Sequence, residues 1–312
     1  MKLLLIIIAL ILVAGLGACI NSALYTAKVH KTHPASGEMI EVNGADVHVL
    51  TAGETGPVVL MIHGASANAR EFSWTLAPRL SQTHRVLMVD RPGHGYSERL
   101  DEAETLGVQA AQAAGALQAL APGETAIVVG HSFGGAVALR LALDYPELVD
   151  SLVLLAPVTH DWGGGGESWY NDYVSHPLIG PAFTQLIPLV GPAQVKQGVS
   201  GVFSPQSAPE GYYEQSAIGL LFRPAEFRAN AIDVTALRSE VAAQQDRYSE
   251  ITMQIVVYSG ALDTVIKPQL HVGKLKHQVA HLELVALADE GHMPHHGQGA
   301  AVAETIRRLA SD

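Results

Sequence analysis

Only one cysteine, Cys19, occurs in the 312 residues, so intrachain disulfides are excluded. A body free of cysteine suits an oxidising or a reducing compartment equally. Charge is also scarce: 16% of the residues are Asp, Glu, Lys or Arg, and the 19 basic residues are outnumbered by 30 acidic ones. No basic cluster offsets the net charge of −11, and an acidic surface repels a phosphate backbone, so nucleic acid is not an expected partner. What is plentiful is apolar. Hydrophobic residues make up 48% of the chain, a globular proportion with no bias towards disorder. Without its first segment the chain leaves about 275 residues, enough for one large domain or two small ones.

Long uncharged runs are confined to the N-terminus. Leu3 to Ile20 carries no charge; Lys2 precedes it and the next charge is Lys28. A bilayer core needs about 20 apolar residues to span, and a signal-peptide core about 7–15, so this segment lies between the two. Leu16-Gly17-Ala18-Cys19 also resembles a bacterial lipobox, in which the cysteine is lipidated. Residues 1–20 are therefore expected to be a signal or anchor segment that attaches the protein to a membrane, with the rest of the chain exported. An uncleaved transmembrane anchor and a lipoprotein are both open, with a plain cleaved signal as the alternative. Residues 21–37, which include Pro34 and Gly37, are expected to be a linker, and a chain starting near Glu38 to be soluble and active.

Strand patterns begin at Glu38. Met39–Val42 and Val47–Leu50 flank Asn43-Gly44, a hairpin signature. Continuous apolar runs follow at Val58–Ile62, Arg85–Val89, Ala126–Val129, Leu152–Leu155, Ile255–Tyr258 and Leu282–Leu287. Runs without alternation suit strands buried on both faces, as in parallel sheets. Helical stretches lie between them, at about 69–80, 106–120, 133–143, beyond Pro268, and 300–309. The pattern predicts an α/β fold with a mostly parallel eight-stranded sheet covered by helices on both faces, the hairpin forming an antiparallel edge. Residues 158–235 break the rhythm with prolines, aromatics and the run Gly163–Gly166. They are expected to form a lid inserted between core segments 38–157 and 236–312. The glycine run lacks a following Gly-Lys-Ser/Thr, so it is read as a hinge rather than a phosphate loop.

Gly130-His131-Ser132-Phe133-Gly134 follows a buried strand and opens a helix. That context turns a weak Gly-x-Ser-x-Gly match into a nucleophile elbow, with Ser132 exposed on a strained turn and the helix N-terminus facing a developing oxyanion. A serine hydroxyl needs a base. His292 lies on the loop after the last strand. Asp263 lies on the loop after Ile255–Tyr258 and is the expected acid, with Asp289 as rival. The order Ser132, Asp263, His292 is the one this scaffold uses. His292, His295 and His296 also raise a metal reading, which Pro294 weakens by interrupting any helix; no cofactor or metal is expected.

These motifs together resemble the α/β-hydrolase family from about Glu38 to the C-terminus. His63-Gly64 resembles its oxyanion loop, which implies that the backbone N–H groups of Ala65 and Phe133 form the oxyanion hole. Asp90 to Ser97 resembles a structural turn of the family, and Arg223-Pro224 to Asn230 resembles a lid-exit helix. Serine at the elbow argues against the family's aspartate-nucleophile epoxide hydrolases and dehalogenases. The expected activity is hydrolysis of carboxylic esters through an acyl-enzyme. The small-molecule substrate would have an apolar acyl group, with Trp162, Trp169, Tyr170 and Phe183 as candidates for its pocket or as ordinary lid core. Carbon–carbon bond hydrolysis is the alternative enzyme reading, and a non-catalytic binding protein the alternative class.

Overall fold

A computed structural model describes residues 1–165 and 168–311. Gly166, the last of the glycine run, lies outside the described residues. Eight strands form one sheet among the described residues: β1 Glu38–Val42, β2 Ala45–Ala52, β3 Val58–Ile62, β4 Arg85–Val89, β5 Ala126–His131, β6 Val149–Leu155, β7 Gln254–Gly260 and β8 Glu283–Leu287. Their order is β1-β2-β4-β3-β5-β6-β7-β8. The β1–β2 and β2–β4 pairs are antiparallel and all others parallel. The hairpin closes with Val42 opposite Ala45, and Asn43 and Gly44 take φ of 54° and 82°, the positive angles such a two-residue turn demands.

The apolar runs are covered on both faces because the alternate side chains of one strand enter different cores. Val58, Leu60 and Ile62 pack with α4 (Leu106–Leu120) and α5 (Phe133–Asp144). Val59 and Met61 pack on the opposite face with α2 (Arg70–Ser73), α3 (Ala77–Leu80) and α13 (Gly299–Leu309). The single helix expected over 69–80 is thus two short ones, with Pro78 in the first turn of the second.

Between β6 and β7 the chain makes only helices among its described residues: α6 (Asn171–Ser175), α7 (Gly180–Phe183), α8 (Ile187–Phe203), α9 (Tyr212–Gln215), α10 (Pro224–Gln244) and short 3₁₀ turns. The expected boundary at 235 falls inside α10, a continuous helix that returns the chain to the core. Two further helices, α11 (Pro268–Gln278) and α12 (Pro294–Gly297), flank β8.

The linker expectation needs correction. Helix α1 runs without a break over Lys2–Thr32, so only residues 33–37 link it to β1. Nothing between 21 and 32 breaks a helix, and the first stop is Pro34, which disfavours helical backbone at His33. With about 1.5 Å rise per residue, Leu3–Ile20 measures roughly 27 Å, close to a hydrocarbon core. Its mean hydropathy reaches 3.1, and it is the one helix among the described residues long and apolar enough to cross a membrane; a signal sequence meets the same test. The far end docks on the inserted helices. Val29 is buried against Ala217 and Leu220, the Tyr25 hydroxyl donates to the Gly219 carbonyl at 2.9 Å, and Arg223 donates to His30 Nε2 at 2.8 Å.

This docking changes the expected result of truncation. A chain beginning at Asn21 is expected to melt at the temperature of the full chain. One beginning at Glu38 should melt lower by about 5 °C, since burying one aliphatic side chain is worth about 1.5–3 kcal/mol and a domain this large shifts about 2–4 °C per kcal/mol. Calorimetry of both chains checks this, and equal melting temperatures would show that the docking contributes nothing.

Candidate active site

Ser132 joins β5 to α5 at φ 52° and ψ −114°, a conformation that costs a non-glycine residue of order 1–3 kcal/mol. The surrounding backbone holds it there. Its N–H donates to the Leu155 carbonyl at 2.9 Å, and its carbonyl accepts from Gly135 at 3.0 Å and Val158 at 3.1 Å. The elbow packs directly on the end of β3: a Cβ at Gly134 would sit 2.1 Å from the Ile62 carbonyl oxygen. Any larger residue there would force the turn away from the sheet.

The loops after β7 and β8 are tied together. Ala261 donates to the Leu287 carbonyl at 2.8 Å and Leu262 to the Glu290 carbonyl at 3.0 Å. Asp263 and His292 meet across them, with His292 Nδ1 and Asp263 Oδ2 2.8 Å apart and both residues buried. The other carboxylate oxygen, Oδ1, accepts from the N–H groups of Val265 (2.8 Å) and Ile266 (2.9 Å). Asp263 therefore shapes its turn and orients the imidazole at once. Asp289 is exposed.

The loop after β3 lies against the nucleophile. A Cβ at Gly64 would come 3.2 Å from Ser132 Cβ, which brings Ala65 to the elbow. Phe133 opens α5, so its N–H has no acceptor within the helix. Arg91 braces this region from below. Its backbone N–H donates to His63 Nε2 at 3.0 Å, its guanidinium to the Gly64 carbonyl at 3.3 Å and to Asp233 at 3.0 Å, and it lies 4.1 Å from the Phe133 ring centroid. Burial, with the Arg91 charge second, pushes His63 down to about 3, so it stays neutral and accepts at Nε2. Its Nδ1 then carries the proton and donates to the Gly64 carbonyl at 2.8 Å.

Several buried groups have no counterpart in the sequence reading. His131, the variable position of the elbow motif, lies with its ring centroid 5.0 Å from that of His292 and tilted to it, and bonds through Nε2 to the His292 carbonyl at 3.0 Å. Burial, then the neighbouring His295 and His292, holds it well below the usual histidine range, so no fixed positive charge opposes an imidazolium at His292. Pro294 begins α12 instead of interrupting a helix, and it sets His295 and His296 side by side. Their Nε2 atoms lie 3.0 and 2.6 Å from Glu71 Oε1, while the Tyr212 hydroxyl donates to Oε2 at 3.0 Å. Glu71, His295 and His296 offer ligand atoms within 4.8 Å of one another, without His292, whose ring faces Asp263. The arrangement is one carboxylate hydrogen-bonded to two imidazoles and closed by the Tyr212 phenol. The two histidines hold Glu71 well below the usual carboxylate range against the opposing effect of its burial.

Among the candidate pocket aromatics, Trp169 pairs with Tyr170, and Tyr173 joins Trp169 to Phe183 within the insertion; Trp169 is 73% exposed. Trp162 packs instead against the core, with its ring centroid 6.1 Å from that of His271 on α11.

The profile of the Alpha/beta hydrolase family matches residues 59–305, and the chain belongs to that family. It is 36% identical over 118 residues to 2-hydroxy-6-oxononadienedioate/2-hydroxy-6-oxononatrienedioate hydrolase of Pseudomonas sp, a stretch of 37% of this chain and 41% of that enzyme. The chain thus spans less than half the length of that relative. An esterase (EaEST) from Exiguobacterium antarcticum has a similar structure, with a TM-score of 0.71 and 23% identity over 89% of this chain and 100% of that one. A bacterial membrane phospholipase A superposes over 100% of this chain and 98% of its own, with a TM-score of 0.71 and 20% identity. These structural likenesses establish the fold.

Proposed function

We propose that this hydrolase cleaves carboxylic esters by way of an acyl-enzyme on Ser132. The observation that carries this reading is the buried His292–Asp263 pair on the loops beside a strained serine elbow. In the proposed cycle His292 takes the Ser132 proton as the oxygen attacks the ester carbonyl, and returns it to the departing alcohol. Asp263 holds Nδ1–H and stabilises the imidazolium. The N–H groups of Ala65 and Phe133 receive the oxyanion, and loss of one such donor costs about 10²–10³ in rate. Water then releases the acid by the same route.

We read the N-terminal helix as the membrane attachment, with the catalytic body exported. Helix α1 packs against α8 and the 3₁₀ turn before it, where Leu186, Leu189 and Val190 are exposed. An apolar surface continuous with an apolar helix supports an amphiphilic ester as the substrate.

A second reading, carbon–carbon bond hydrolysis, is favoured by the 36% identity to a hydrolase of 2-hydroxy-6-oxo acids. Labelling with a fluorophosphonate probe, followed by p-nitrophenyl esters of increasing chain length and a β-diketone-type substrate, separates the two. Ester turnover that improves with acyl length is expected. Turnover of the diketone alone would replace the ester reading with the second one, and no labelling and no turnover would leave a binding protein.

A further inference from the structure

Helix α10 reaches the proposed oxyanion loop with one polar side chain that nothing above assigns a role. Asn230 meets Ser66 twice: its Oδ1 accepts from the Ser66 N–H at 2.6 Å, and its Nδ2 donates to the Ser66 hydroxyl at 3.1 Å. Ser66 sits at φ 58°, a left-handed conformation that a serine leaves readily unless its surroundings hold it. Asn230 is almost fully buried and 164 residues away in sequence, so the clamp is tertiary and not a local turn.

Ala65 stands between two peptide planes, and each has a partner from outside the loop. The plane that contains the Ala65 N–H also contains the Gly64 carbonyl. That carbonyl accepts from His63 Nδ1 at 2.8 Å and from Arg91 at 3.3 Å. A trans peptide points its N–H opposite to its carbonyl, so these donors aim the Ala65 N–H away from themselves. The next plane ends in the Ser66 N–H, which donates to Asn230 Oδ1. One turn further along α10, Asp233 holds Arg91 at 3.0 Å and Arg99 at 2.9 Å. Both planes are therefore fixed from the same helix, one directly and one through Arg91.

We infer that Asn230 is a positioning residue for the oxyanion hole: by holding Ser66 in its left-handed conformation it keeps the Ala65 N–H aimed at the reacting carbonyl. This rests on the ester-hydrolase reading with Ala65 as a donor. It makes α10, the strand-ward end of the insertion, the element through which the insertion and the oxyanion hole are coupled.

The test is a mutant cycle in the full-length protein. Asn230→Ala should lower kcat for a p-nitrophenyl ester about tenfold, with KM changed less than twofold, because an aim lost by a fraction of an ångström affects the transition state more than substrate binding. Fluorophosphonate labelling of Ser132 should slow in parallel. Glycine adopts positive φ without a clamp, so adding Ser66→Gly to Asn230→Ala should recover part of the lost kcat. A purely structural role in α10 predicts the opposite pattern: a lowered melting temperature, and no rescue from a change at residue 66. Wild-type kcat in Asn230→Ala, or a loss that Ser66→Gly leaves untouched, overturns the inference. Should Asn230→Ala fail to fold, Ser66→Ala removes the hydroxyl arm alone, and it should lower kcat more than it raises KM; unchanged kcat there likewise counts against the clamp. Failure of the underlying reading looks different, since the wild type would then turn over no ester, or Ser132→Ala would keep the wild-type ester activity, whatever happens at Asn230.

Discussion

Replacement of Ser132 by alanine is expected to abolish labelling by a fluorophosphonate and to lower ester turnover by about 10⁴ or more. The size follows from the role proposed for the hydroxyl. Without it no acyl-enzyme forms, and only the oxyanion donors and substrate binding remain to assist direct attack by water. The fold should persist. The side chain caps no helix, and the contacts that hold residue 132 in place come from its own N–H and carbonyl, which alanine keeps. Alanine also keeps the same φ penalty as serine, so the melting temperature should stay within a degree or two of wild type. Assay of the purified variant, with its melting curve beside it, separates a chemical loss from an unfolded sample. Turnover at the wild-type rate in a folded variant would remove Ser132 from the mechanism and the acyl-enzyme with it.

What could be read from the sequence is what neighbouring residues decide. Asn43-Gly44 forces a tight turn whatever surrounds it. The strand at Ala126–His131 and the helix at Phe133–Asp144 are separated by a single residue, Ser132, so the elbow is a local event. The order of serine, acid and histidine follows from the chain path, and the structure brings Asp263 and His292 together across 29 residues. Local pattern misleads where it is ambiguous. The stretch 21–32 mixes polar and apolar residues and looks like a linker, yet it continues α1 because Tyr25 and Val29 find partners far along the chain. Pro294 looks like a break in the sequence, yet it starts a turn that brings His295 and His296 to Glu71, more than 220 residues earlier. Asn230, Arg91 and His131 were illegible for the same reason. Polar residues at these positions are ordinary in sequence, and only tertiary approach gives them Ser66, Gly64 and the His292 carbonyl as partners.

Asp263→Asn is expected to lower kcat by about 10⁴ while leaving the protein folded. The asparagine Oδ1 can accept from the Val265 and Ile266 N–H groups just as the carboxylate does, so the turn survives. The change falls on the other atom. An amide NH₂ in place of Oδ2 donates towards His292 Nδ1, which must then accept. The ring proton moves to Nε2, the atom that should take the proton from Ser132, and the base is blocked by its own tautomer. The amide also cannot stabilise the imidazolium of the transition state. Asp263→Ala would confuse the matter, because it removes the turn's acceptor as well, so the isosteric variant is the informative one. Asp289→Asn is the companion measurement. Asp289 is exposed, while the acceptor at 2.8 Å from Nδ1 belongs to Asp263, so activity near the wild-type level is expected there. A crippled Asp289→Asn beside a nearly normal Asp263→Asn would reassign the acid to the histidine's own loop.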